Sequence, residues 1–265
     1  MVRTFGLLDV ILDMPSEVKE RLPTGYSEPC IQCATFMAEA MRGELESVQV
    51  SPQHAKKVGI LAALLLPLRD FSAITEKKKE VGLTEHIVGL CLKKKKDAAL
   101  AALLQRAASD ILEAHSHAAS GGADDVGGIP DEAKVKLGLA IRSAKDLWKV
   151  AARLAHILQL PFGKSLNDQG GAACSADPCS PGEEELAKAA LFVSRVEEKA
   201  VALKLDKAWQ IKPLINGKEL MSVLNARGPI IGKAVGEMVN WQLAHPDGSV
   251  EECKAFLLKI KPTLE

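Results

Sequence analysis

Four cations fall at helical spacing. Arg142, Lys145, Lys149 and Arg153 are separated by three, four and four residues. On one continuous helix these steps place all four on one face. The chemistry available to such a row is phosphate neutralisation, because each Lys or Arg set against a nucleic-acid phosphate releases a condensed counterion. Lys134 and Lys136 stand just upstream, and Asp146 is the one acid inside the row. The solvated face of an amphipathic helix has the same spacing, so the row alone does not separate the two readings.

A second phosphate-type feature is the segment 228–233, GPIIGK. The Gly228-Pro turn opens an expected helix at about 229–244. Free amides at a helix start, with Lys233 one turn in, suit an anion. Gly228, Ile231, Gly232 and Lys233 are its candidate contacts. The spacing is not that of a Walker loop. Two lysine clusters, at 77–79 and 93–96, give residues 77–96 seven Lys against Glu80 and Glu85. They suit nonspecific phosphate contact or simple solubility, and their role stays open.

Other chemistry has little support. Cys30 and Cys33 form a CxxC, but no second pair follows at zinc-ribbon spacing, and Cys174 and Cys179 lie far away. His115 and His117 have no carboxylate arrangement that signals a metal. Trp148, Trp209 and Trp241 sit beside apolar residues, where core packing is the default. No catalytic or metal-binding residue is expected in this chain.

The elements that position these residues read as helices. The 265 residues include 36 Ala and 35 Leu, both strong helix formers, and aromatics are only 4%. The expected fold is all-α. Leu137, Ile141, Ala144, Leu147, Ala151, Leu154 and Leu158 predict one amphipathic helix that Pro161 stops. Leu186, Ala190, Val193, Val196, Ala200 and Leu203 predict another, opened by Glu183, Glu184 and Glu185. Ser51-Pro52 reads as a helix cap, and Ser249 with Glu252 as a capping box. On this basis the chain divides into a helical body region at 1–118, a flexible loop at 119–131, a body helix at 132–162, a second flexible loop at 163–182 and a helical tail at 183–265. Lys and Arg number 34, as do Asp and Glu, so the net charge is zero and nucleic-acid binding must come from local patches. The most apolar run, 58–68, is too short to span a bilayer. The cysteine usage and the lack of a secretory pattern predict an intracellular, reducing setting.

Several blocks resemble a known family. They are 213–221 (PLINGKELM), 228–233 (GPIIGK), 241–253 (WQLAHPDGSVEEC) and 135–150 (VKLGLAIRSAKDLWKV), with 5–8 (FGLL) and 62–69 (AALLLPLR) further upstream. Together they resemble the C-terminal body and tail of eukaryotic class II CCA-adding enzymes, the tRNA nucleotidyltransferases, most closely those of plants and fungi. The resemblance implies a helical body and tail that hold tRNA, with the phosphate-contact reading favoured for both the row and the helix start. A complete enzyme of that family uses Mg²⁺, CTP and ATP. Its head carries an Asp-x-Asp and its neck a Glu-Asp…Arg signature, and this sequence has neither. The resemblance therefore implies a chain inactive by itself, a fragment or incomplete gene product whose head is supplied in cis by a longer product or in trans. The rival expectation is a non-enzymatic helical interaction protein descended from that body. Cytoplasm, nucleus, mitochondrion and plastid all stay open.

Overall fold

A computed structural model describes residues 12, 14–42, 51–75, 78–119, 129–167 and 181–264. The block at 5–8, Lys77, Cys174, Cys179 and most of the two expected loops lie outside the described residues. The described residues are all-α apart from one small hairpin, and the chain divides into two units. The first holds residues 1–112 and 146–196, and the second holds 113–145 and 197–265. These units cut across the linear division into body, helix and tail.

The first unit contains α1 (Ser16–Lys19), α2 (Ser27–Ala40), α3 (Pro52–Leu64) and the 3₁₀ turn Leu66–Leu68. Ser51 caps α3 as expected: its Oγ accepts from the His54 amide at 3.3 Å, and Pro52 takes the first helical position. Strands β1 (Ser72–Ile74) and β2 (Glu80–Gly82) pair antiparallel, with Ala73 opposite Val81. Lys78 and Lys79 stand in the connection between them. A short α4 (Leu83–His86) runs through a wide turn at Ile87–Cys91 towards α5 (Lys95–Ala119). After a break come α7 (Trp148–Gln159) and α8 (Glu183–Ala202); α5 belongs to this unit up to Leu112 and α8 up to Val196, and their remaining residues belong to the second unit. One core gathers Val18, Leu65, Phe71, Leu83 and Ile87. Helices α2, α3 and α7 pack on one another. Gly59 permits that approach, because an added Cβ would lie 3.0 Å from both Met41 Sδ and Val150 Cγ1. Arg69 straps the end of the layer by donating to the carbonyls of Leu66 and Gly163, each at 3.0 Å.

The second unit is built on α6 (Asp131–Ala144), α9 (Gly217–Leu224), α10 (Pro229–Ala244) and α11 (Val250–Leu264). Asn216 caps α9, accepting from the Glu219 amide at 2.9 Å. Ser249 and Glu252 form the expected capping box of α11: the Ser249 amide donates to Glu252 Oε2 at 2.8 Å, and the Glu252 amide to Ser249 Oγ at 3.2 Å. The core holds Ile215, Leu220, Leu224, Met238, Cys253 and Leu257. Gly138 lets α6 and α10 close on each other, since a Cβ there would meet Leu243 Cδ2 at 2.8 Å. Gln242 ties the segment before α9 to α10, donating to the Lys212 carbonyl at 3.0 Å and accepting from the Leu214 amide at 3.3 Å.

The long helix expected across 137–158 is two helices. Lys145 has φ +51° and ψ −132°, a conformation no helix can pass through, and a single 3₁₀ turn follows before α7 begins. The unit boundary falls at the same residue. All seven residues of the apolar period are buried nonetheless. Leu137, Ile141 and Ala144 enter the second unit, while Leu147, Ala151, Leu154 and Leu158 enter the first. In α8 the apolar face also sits slightly off the expected one: Ala189 is buried and Ala190 is exposed.

Candidate nucleic-acid interface

The basic row loses its geometric premise at the helix break. Arg142 and Lys145 belong to the second unit, and Lys149 and Arg153 to the first. Arg142 is half-buried, and its Nη1 donates to the carbonyls of Ala208 and Ile211, both at 2.9 Å. A guanidinium spent on two backbone acceptors is a fastener between α6 and the 3₁₀ turn Ala208–Gln210. Lys149 and Arg153 are half-buried on α7, a helix whose other sides are almost all in the core. The Lys149 ammonium lies 6.0 Å from the Trp148 ring, and Arg153 Nη1 donates to the Lys149 carbonyl at 3.2 Å. Of the four, Lys145 alone is fully exposed.

The helix start at 228–233 keeps its Gly-Pro turn, although Pro229 has no N–H to offer and the Ile231 amide already donates to the Gly228 carbonyl at 3.1 Å. Gly228 has φ +76° and ψ −143°, a region open in practice only to glycine, and this turns the chain into α10 with Pro229 at its first position. Gly228, Gly232 and Lys233 are exposed. A Cβ added at Gly228 or Gly232 would meet nothing within 4 Å. The backbone of this turn is therefore open to close approach by a ligand. Arg227 is exposed beside it. Ile231 plays a different part: it is half-buried and packs on the second unit's core, anchoring the turn from below.

A concentration of charge that the one-dimensional reading left without a role lies in the first unit. His54 and Lys57 on α3 face Lys93, Lys94, Lys95 and Lys96 at the start of α5, around a cleft of about 720 Å³. Asp97 sits in the middle, buried, with Lys57 Nζ at 2.8 Å and His54 Nε2 at 3.6 Å. The hydrogen bond from Lys57 holds the Asp97 carboxyl below its ordinary pKa. The signal available in the sequence was the lysine run alone, because α3 reaches the site from 40 residues away.

The cysteines pack. Cys30 and Cys33 are fully buried in the first unit, and burial pushes both thiols far up, away from the reactive thiolate form. Cys33 Sγ donates to the Phe162 carbonyl at 3.3 Å. His117 lies 3.7 Å from Glu113 in an exposed pair. Among the described residues no group of three or more His, Cys, Asp and Glu side chains could hold a metal ion. No helix among them is long and apolar enough to cross a membrane.

The described residues thus form two helical units with one small hairpin, with cations at Gly228–Lys233 and Lys93–Lys96 and no metal centre among them. The chain is similar in sequence to fungal tRNA nucleotidyltransferases. The chain is 40% identical to the tRNA nucleotidyltransferase cca2 of Schizosaccharomyces pombe over 58 residues, 22% of this chain and 12% of that protein. It is 22% identical to the mitochondrial CCA tRNA nucleotidyltransferase of Candida glabrata over 224 residues, 82% of this chain and 38% of that protein. It is 28% identical to the S. pombe tRNA nucleotidyltransferase cca1 over 78 residues, 29% of this chain and 15% of that protein. The chain spans less than two fifths of the length of these relatives. No family model and no solved structure matches it significantly.

Proposed function

We propose that the chain is a tRNA-binding body and tail of the kind found in CCA tRNA nucleotidyltransferases, and that it adds no nucleotides by itself. The observation that carries this reading is the similarity to the C. glabrata CCA enzyme over 82% of the chain. The open helix start at Gly228 and Gly232 supports it, because helix amides and flanking cations receive a phosphate backbone without reading bases. Mg²⁺, CTP and ATP belong to the chemistry of a complete enzyme, and the described residues offer no carboxylate cluster to hold the metal. A catalytic head, in cis or in trans, is the partner this reading requires.

The test has two arms. A tRNA transcript lacking its CCA end is titrated into the chain, and the same mixture is supplied with labelled CTP, ATP and Mg²⁺. Saturable, salt-dependent binding without incorporation is the expected result. Incorporation above a mock preparation overturns the claim of inactivity. Absence of tRNA binding overturns the reading as a whole and favours a helical protein that binds other proteins.

A further inference from the structure

Four consecutive lysines stand at the start of α5, and all four are exposed. That is the wrong end for them. A helix N-terminus carries partial positive charge, and cations there are unfavourable for the folded chain alone. None of Lys93, Lys94, Lys95 and Lys96 is ion-paired within the described residues. The one acid in the cleft, Asp97, is already matched by Lys57 and His54. The arrangement is also held in place. The Lys94 amide donates to the Val88 carbonyl at 2.9 Å, the Lys94 carbonyl accepts from the Ala98 amide at 2.9 Å, and Lys93 adopts φ +53°. Asp97 in the same first turn offsets part of this charge, its field reaching Lys94, and the excess of cations that remains at one helix start marks a site where a ligand supplies the balance.

We propose that this cleft is a second contact for the phosphate backbone of RNA, with Lys93, Lys94, Lys95 and Lys96 meeting successive phosphates. This rests on the RNA-binding reading above and extends it to the first unit. Lys57 is the positioning residue: it neutralises Asp97, so that no free carboxylate repels the backbone. The described lining is His54, Lys57, Gly89, the four lysines and the already paired Asp97, and such a run of cations in a concavity suits a strand of phosphates.

The experiment uses the whole chain and its Lys95→Gln/Lys96→Gln variant, with Lys95→Arg/Lys96→Arg as the charge-preserving control. Affinity for the CCA-less tRNA transcript is measured over a salt series, and the melting temperature is taken alongside. The Gln variant should lose about two from the slope of log affinity against log salt. Its melting temperature should hold or rise, because self-repulsion is relieved. The Arg variant should keep the slope. Weaker binding with a raised or unchanged melting temperature is the signature that a merely structural lysine pair cannot produce. If tRNA binds and the Gln variant's slope is unmoved, the cleft is not a contact, although the broader reading survives. If the chain binds vesicles of anionic phospholipid and no RNA, both fail.

Discussion

The Arg142 guanidinium donates to the Ala208 carbonyl at 2.9 Å, and the same nitrogen reaches Ile211. A residue that reads in sequence as part of a phosphate-binding row is a fastener inside one unit. Arg142→Gln should therefore take one donor each from the carbonyls of the buried Ala208, which keeps the Ile211 amide at 3.3 Å, and of the half-buried Ile211. Charged hydrogen bonds of this kind contribute roughly 1.5–3 kcal/mol. Chemical denaturation should show a loss of that order, with the salt slope of tRNA binding unchanged. A reduced slope at full stability would return Arg142 to the interface.

Lys145 occupies a backbone region that suits glycine, with φ +51° and ψ −132°. Lys145→Gly should relieve strain of roughly 1–3 kcal/mol, less the entropy that glycine adds to the unfolded chain. A net gain in denaturation midpoint is expected. A net loss would mean that the Lys145 side chain contributes more than its backbone costs.

Gly232 separates stability from binding. It lies inside α10 with open space where a Cβ would go. Gly232→Ala should raise stability by roughly 0.5–1 kcal/mol through helix propensity. If the tRNA backbone approaches this turn closely, the same methyl group weakens tRNA binding. Equal affinity in the stabilised variant would remove the helix start from the interface.

Gly248 is required for packing. A Cβ there would fall 2.3 Å from Trp241 Cη2, and the Trp241 ring is stacked on His245 at 4.9 Å and on Phe256 at 6.2 Å. Gly248→Ala should destabilise the second unit by roughly 1–3 kcal/mol, in the range of overpacked sites. Tryptophan emission should shift as the ring is displaced, and an unchanged spectrum with unchanged stability would contradict the contact.

His156 sets a pH dependence. It is buried in the first unit between the rings of Phe36 and Phe192, at 6.0 and 5.7 Å. Burial lowers its pKa below the ordinary 6.5; Glu185 opposes that shift and Lys188 adds to it. The folded state thus binds fewer protons than the unfolded one. The contribution is complete above pH 6.5 and is lost as pH falls from there through the folded pKa. Urea midpoints should drop between neutral pH and about pH 5, where an ordinary histidine is mostly charged. His156→Leu should flatten that drop. An equally steep profile in the variant would place the titration elsewhere.

The sequence by itself determined the helical class, the caps at Ser51 and Ser249, and the burial of the seven apolar residues that step through 137–158. Each of these depends on a local cause: side-chain propensity, a hydroxyl within reach of the next turn's amide, or a period of 3.6. The start of α10 was legible for the same reason, since a Gly-Pro pair at 228 and 229 admits few other conformations. Only the tertiary structure decided that Lys145 breaks the helix and that the two halves of one apolar period enter different cores. Periodicity is blind to a single residue of unusual φ when the phase resumes beyond it. Tertiary structure also decided the fate of the cations. Arg142 found carbonyls 66 and 69 residues away, and Lys57 found Asp97 across 40 residues of chain. Spacing along a helix says where a charge can point, and the partner that claims it is set by whatever the fold brings opposite.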